Sequence, residues 1–498
     1  MKIIRNIFCP LLFACLAISC SNNDYMNIIP QNAKAVVEVD IESLLDEYDF
    51  SDELIDRIQN ATKVVFKGAN TDIFMKILER DDELGIDFDK PFYLYVLPGN
   101  VYGATFKVDD IDDVNDLFDS LNRQNISGKV VDKDDIKWTD ILDDVSVVYN
   151  DKLLAVLFSD SITETMNIQS KLLTNQHNEC FVNSDKFDKL NDMEGPVKWV
   201  FNSDFFYDFN KKKNNDYLNN LNAFLPEGVR PVDVAVAGDL IFDKGNAVVN
   251  LELFSTNKKV QKTLEKEDGK FLGINGDFIG APNDFLCWMA MGTKGEDLNN
   301  KLKQFNNIKK YLNVIGLAID IESIVKAVKG DLAVVIPGTT DKTADNKYKE
   351  FVITAKLKND DFLKSVSLWN DQMVDYGMKM EENAKNSFTL YTDSFSINWG
   401  VDKDNVYFAS GNSFFKSAFA EKSDKLEIVQ KDIKKSVLYV YVNMESLFAK
   451  QTENNEKADK LNVWDYFALS ADNYRQYKLE FVLKDKDKDV LNILPDLI

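Results

Sequence analysis

The chain has 498 residues, with 82 Asp or Glu against 59 Lys or Arg, a single histidine and a formal charge of −23. That balance repels nucleic-acid phosphates and anionic lipid surfaces, so nucleic-acid binding is excluded and surface charge cannot hold the protein at a membrane. An apolar share of 45% is that of a globular protein, and the length suffices for two or more domains.

The N-terminus carries the clearest signal. Met1-Lys2-Ile3-Ile4-Arg5 precedes an apolar stretch from Ile7 to Ile18, interrupted by Pro10, and Ser19-Cys20 follows. Those 12 residues fall short of the ~20 that a membrane-spanning helix needs. Residues 1–19 therefore read as a cleaved signal peptide. Leu16-Ala17-Ile18-Ser19-Cys20 resembles a lipobox, with Leu16 one place further from the cysteine than is usual. Cys20 is thus the expected lipidation site. Ser21, in place of aspartate, resembles the pattern for export to an outer membrane. Cleavage removes Lys2 and Arg5 but no acid, which carries the charge two units further, to −25. The expected membrane attachment is the lipid on Cys20, in more than one acyl chain. Residues 20–33 read as a short tether.

The rest of the chain reads as two similar halves. Ile29-Pro30 leads into an apolar strand to Val39, and Ala281-Pro282 into another to Met291. Tyr93 to Gly99 corresponds to Leu332 to Gly338, and Ala104 to Lys107 to Ile353 to Lys356. The hairpin from Val145 to Phe158 corresponds to Phe395 to Phe408, and Trp199 to Asn202 to Tyr439 to Asn443. A closing hairpin is expected to turn at Asp243-Lys244-Gly245-Asn246 in one half and at Asp485-Lys486-Asp487-Lys488 in the other. Strands follow from alternating or wholly apolar runs, and turns from Asp-Lys and Pro-Gly. Asp112 to Leu121 and Asp361 to Trp369 have helical spacing. The expected fold class is α+β, in two tandem similar domains, each a largely antiparallel sheet with helices packed on it. The expected boundaries are a first repeat over 34–255, a junction over 256–280 and a second repeat over 281–498.

A short signature recurs as Asp40-Ile-Glu42-Ser43, Asp320-Ile-Glu322-Ser323 and Asn443-Met-Glu445-Ser446. Asp or Asn ends a strand and accepts the first free helix N–H groups, while Glu favours the positive end of the helix dipole. A nucleophilic serine would need a base and an oxyanion loop, which the motif lacks.

The signal, followed by Ile29-Pro30-Gln-Asn-Ala-Lys-Ala-Val-Val-Glu-Val-Asp40-Ile-Glu-Ser-Leu-Leu45, resembles the opening of an uncharacterised lipoprotein family of Bacteroidota, domain of unknown function 4836. The resemblance implies an envelope lipoprotein and brings no catalytic residues.

Chemistry is scarce elsewhere. His177 alone cannot supply a multi-histidine zinc site, and it reads as a solvated polar residue. No phosphate-binding glycine motif occurs; Gly273-Ile-Asn-Gly276-Asp-Phe-Ile-Gly280 lacks a lysine. Asp485-Lys-Asp487-Lys-Asp489 begins like a calcium loop, but Val490 stands where glycine should. Asp109, Asp110, Asp112 and Asp113, and Asp132, Asp134 and Asp135, read as solvated helix starts and turns. Trp199, Trp288, Trp369 and Trp399 read as core; Trp138 and Trp464 are candidates for stacking on sugars. Cys180 and Cys287 read as buried thiols. No catalytic, cofactor or metal residue is expected. The expectation is a non-enzymatic envelope binding or scaffold protein, with an envelope protein or a glycan as partner. The alternatives are a carboxylate-dependent glycan hydrolase, with paired acids across a deep cleft, and a solute-binding protein.

Overall fold

The computed structural model describes residues 24–47, 82–99, 101–133, 135–141, 145–159, 168, 172–173, 179–203, 205, 225–281, 285–304, 320–338, 350–374, 378–391, 396–410, 423–448, 462–491 and 493. The chain divides into two compact units, Met1–Phe205 with Val236–Ile241, and Phe206–Ala235 with Phe242–Ile498. Both are sheet-rich, with antiparallel pairing and accompanying helices.

The first unit contains strands β1 (Ala35–Val39), β2 (Phe92–Leu97), β3 (Val101–Lys107), β4 (Val131–Lys133), β5 (Ile136–Ile141), β6 (Val145–Tyr149), β7 (Leu153–Phe158) and β8 (Val197–Asn202), and most of β9 (Ala235–Asp243). Its helices are α1 (Ile41–Glu47), α2 (Ile111–Arg123) and α3 (Asp185–Asn191). In space the strands run β8–β1–β2–β3–β7–β6–β5–β4. Asp110 caps α2 by accepting the Asp112 N–H at 2.8 Å. The apolar stripe of α2, Val114, Phe118 and Leu121, is buried on Val147, Tyr149 and Leu154. Each such side chain contributes roughly 2 kcal/mol by leaving water. The expected tether is partly folded: Tyr25, Met26, Ile28 and Ile29 are buried, and the Tyr25 hydroxyl donates to the Pro91 carbonyl at 2.8 Å. Buried Asp239 on β9 accepts the N–H groups of Glu194 and Gly195 at 2.8 and 3.1 Å. Gly195 is required there, since a Cβ would stand 2.5 Å from the Leu240 carbonyl oxygen.

The second unit contains β10 (Asn246–Phe254), β11 (Phe285–Lys294), β12 (Val328–Pro337), β13 (Phe351–Leu357), β14 (Lys379–Ala384), β15 (Ser387–Tyr391), β16 (Ser396–Asp402), β17 (Asn405–Ser410), β18 (Leu438–Asn443), β19 (Trp464–Ala471) and β20 (Gln476–Leu483). Its helices are α4 (Lys258–Asp268), α5 (Gly295–Leu302), α6 (Ile321–Ala327), α7 (Val366–Val374), α8 (Asp424–Ile428), α9 (Gln430–Lys435) and α10 (Met444–Phe448). The strands run β10–β20–β19–β18–β11–β12–β13–β17–β16–β15–β14. The stretch from β18 to β14 has the same succession as β8 to β4 in the first unit.

Apolar clusters anchor this unit. Trp369, Phe388 and Trp399 form one, with Phe388 and Trp399 stacked at 4.8 Å. Phe285, Trp288, Tyr439 and Ile433 belong to the other. The recurrent signature is a helix cap in all three places. Asp40 accepts the Ser43 N–H at 3.0 Å and its hydroxyl at 2.8 Å, and Asp320 accepts the same groups of Ser323 at 3.0 and 2.5 Å. Asn443 accepts the Ser446 N–H at 3.5 Å and donates to its hydroxyl at 2.8 Å.

Two further expectations change. Residues 256–280 are built into the second unit: Leu264 of α4 is buried with Val234 and Tyr474. The Asp485–Lys488 turn does not join two strands, because β20 has already ended at Leu483. The hairpin of β19 and β20 turns at Asp472–Arg475, where the Asn473 side chain accepts the N–H groups of Arg475 and Gln476 at 2.9 and 3.0 Å. Residues 485–489 instead lie beside the start of β10, with the Gly245 N–H donating to the Lys488 carbonyl at 2.8 Å.

The glycine-rich loop 273–280 is held from below. Asp331, 1% exposed, accepts the N–H of Asn275 at 2.9 Å, of Gly276 at 2.7 Å and of Asp277 at 2.9 Å. Gly276 has φ +89°, which a side chain would strain. Asp331→Ala strands three backbone donors, at a cost of roughly 3 kcal/mol. Urea unfolding followed by tryptophan fluorescence should show that loss; Trp288 lies against the loop and donates to its Phe278 carbonyl at 3.3 Å. A wild-type midpoint would contradict the clamp.

Candidate functional site

Cys20 and His177 lie outside the described residues. Among the described residues no three His, Cys, Asp or Glu side chains group so as to hold a metal ion, and no helix is long and apolar enough to cross a membrane. Asp110 is a helix cap, and Asp132 and Asp135 flank the β4–β5 turn, with Asp134 outside the described residues. Loop 273–280 is an anion-binding array of N–H groups already filled by the Asp331 carboxylate. Trp464 is buried edge-on against Phe481, and Trp138 is half-buried on β5. Trp288, Trp369 and Trp399 are buried, whereas Trp199 is only half-buried. Cys180 is buried as expected, whereas Cys287 is only half-buried; neither forms a disulfide, and burial raises the pKa of each thiol first.

The first unit holds a polar network and an apolar face on opposite sides of its sheet. Glu38 sits in β1 directly across from Tyr93 of β2 and Lys198 of β8. It is 6% exposed, and accepts the Tyr93 hydroxyl at 3.0 Å and the Lys198 ammonium at 3.0 Å. Burial, reinforced by the Glu38 charge, pushes the Tyr93 phenol far above its usual range. The phenol therefore stays a donor at any physiological pH. Both carboxylate oxygens are occupied, so the network suits fixing register better than moving protons.

On the other side of the same strands the residues are apolar. Tyr102 of β3 is the register partner of Phe158 on β7 and of Val96 on β2, and Leu94 is two residues from Val96. Leu94, Tyr102 and Phe158 are 42%, 45% and 47% exposed. Register continues this face through Val37 of β1 to Trp199 of β8, which stacks with Phe201 at 6.1 Å. The sheet thus buries a charge and exposes large apolar side chains. The sequence signal for the first was one glutamate inside a valine run. The second left no signal, because strands apolar throughout do not reveal which face is open.

The network is tested by a double-mutant cycle. Lys198→Met leaves a buried carboxylate without its cation and should cost about 2 kcal/mol, less than a fully buried pair because the lysine is partly exposed. Adding Glu38→Gln should recover part of that loss in chemical denaturation; additive costs would refute the coupling.

A family model described as domain of unknown function (DUF4836) matches residues 25–491. No curated protein matches the chain. Solved structures similar to parts of it include crystal forms IV, I and III of TP0453, with TM-scores of 0.28, 0.29 and 0.29 and identities of 13%, 15% and 14%. They cover 46%, 49% and 51% of this chain and 80%, 83% and 90% of the TP0453 chain. Likeness at that level transfers no function. The family match spans nearly the whole length, and the chain belongs to the DUF4836 family.

Proposed function

We propose that this chain is a cell-envelope lipoprotein, held at an outer membrane by lipid on Cys20, and that it acts as a non-enzymatic binding or scaffold protein. The observation that carries the binding role is the exposed apolar face of Leu94, Tyr102 and Phe158. Contiguous apolar surface of this kind marks interaction sites, because leaving it in water forgoes the stabilisation that burial would give. The anchor rests on the basic start, the short apolar stretch and Cys20. The described fold is already ordered into a helical turn at Asp24–Ile28, four residues past Cys20, so the body would sit close to the bilayer. The shared succession of eight strands in the two units supports a tandem duplication as their origin.

Two measurements test this reading. Cys20→Ala should move the protein from the membrane fraction to the soluble fraction; retention in the membrane would remove the lipoprotein assignment. For the binding role, a photo-crosslinking residue is placed at Tyr102 or Phe158 in the native lipidated protein, with exposed Asp112 as control. The two face positions should give discrete envelope adducts and Asp112 none. The triple change of Leu94, Tyr102 and Phe158 to Ser should abolish capture while costing about 1.5 kcal/mol or less, about 0.5 for each exposed site. Adducts at Asp112 alone, or hydrolysis in a glycan panel, would overturn the proposal.

A further inference from the structure

We propose that the second unit carries a binding site for a neutral sugar, its ring on Phe271 and its hydroxyl groups on Asp297 and Asn300. The site is a cavity of about 480 Å³, the size of small-molecule sites, with room for roughly two six-membered rings. It belongs to the second unit alone and does not rest on the apolar face of the first.

Helix α5 and the turn after it supply the polar wall. Asp297, Asn300 and Gln304 line the cavity and follow one another at intervals of three and four residues, so they share one helical face. Asp297 stands in the first turn of α5, where the positive end of the helix dipole favours its carboxylate. A carboxylate only accepts, while the amide of Asn300 both donates and accepts, so the two together suit a pair of neighbouring hydroxyl groups. Met291 of β11 and Phe271, from the segment after α4, give the cavity an apolar wall. The Phe271 ring lies nearly parallel to that of Tyr474, with 6.2 Å between centres and 12° between planes, a stacking that holds it in place. A fixed aromatic ring is a surface for the C–H face of a sugar.

The charges in the lining argue against an ionic ligand. Lys270, Lys301 and Lys303 formally balance Glu227, Glu267 and Asp297. Each lysine is engaged: Lys270 with Glu267, Lys303 with Glu322 at 2.8 Å, and Lys301 over the Tyr474 ring at 5.5 Å. An anion therefore finds no uncommitted cation and would lose hydration without compensation. A cation would meet three ammonium groups in the same lining. Asp297 and Glu227 make no ion pair among the described residues, which leaves them as acceptors. Hydroxyl groups that donate to them form charge-assisted hydrogen bonds, stronger than those between neutral groups. An uncharged ligand with adjacent hydroxyl groups and a C–H face satisfies the acceptors, the aromatic wall and the charge balance together.

The test is a ligand-observed NMR titration of the full chain carrying Cys20→Ala, which needs no detergent, with glucose, galactose, mannose, N-acetylglucosamine and cellobiose. At least one of these should bind saturably at a single site. Asp297→Asn should weaken that sugar by about tenfold, the scale of one charge-assisted hydrogen bond. Asn300→Trp places a ring in the cavity from an exposed position, and should abolish binding while leaving the thermal transition of the protein unchanged. Protonated glucosamine and glucuronate should bind more weakly than the neutral sugar. No saturable binding by any neutral sugar, tighter binding of either charged analogue, or unchanged affinity in either variant would overturn the proposal. Such a failure leaves the adducts at Tyr102 and Phe158 untouched, because those report on the first unit.

Discussion

Strands β1 and β11 are each hydrogen-bonded along both edges, and the register of the other strands in their units is counted from them. A slip of one residue would turn every side chain of such a strand to the opposite face. In β1 that slip would carry Glu38 away from Tyr93 and Lys198 and onto the apolar side of the sheet. The buried carboxylate thereby makes the alternative register costly, while its two partners make the native one tolerable. β11 bears no such charge. Its place is fixed by Trp288, wholly buried and bonded to the loop carbonyl of Phe278.

Buried aspartates extend the same logic from strands to loops. Asp239 and Asp331 each take up backbone N–H groups that no strand or helix would satisfy. Such donors cannot be left dry in a protein interior without a penalty comparable to the bond itself. Polar side chains are therefore used inside this protein as connectors, which leaves apolar side chains to form much of one exposed face of the first unit. That division of labour links the fold to the proposed binding role: the charge holds the sheet together, and the exposed apolar face is available to a partner.

Much of this architecture was legible in the chain. Alternating and wholly apolar runs bounded by Pro-Gly and Asp-Lys turns located strands such as β2, β7 and β12. The Asp-x-x-Ser spacing read correctly as capping, because only a short side-chain acceptor at that distance reaches the first helix N–H groups. The stretch 256–280 was misleading because its lysines, acids and glycines have a linker's composition. Leu264 and Val260 nevertheless lie on one helical face and pack with Tyr474. The Asp485–Lys488 turn misled because it copies the charge pattern of Asp243–Asn246, whereas the functional hairpin turn depends on Asn473.

Amide hydrogen exchange on the intact chain tests most directly whether the doubly paired central strands organise each unit. The slowest amides should lie in β1, β2 and β3 of the first unit and in β11, β12 and β18 of the second, with β4 and β14 exchanging orders of magnitude faster. Protection in β4 and β14 equal to that of β1 and β11 would contradict the account.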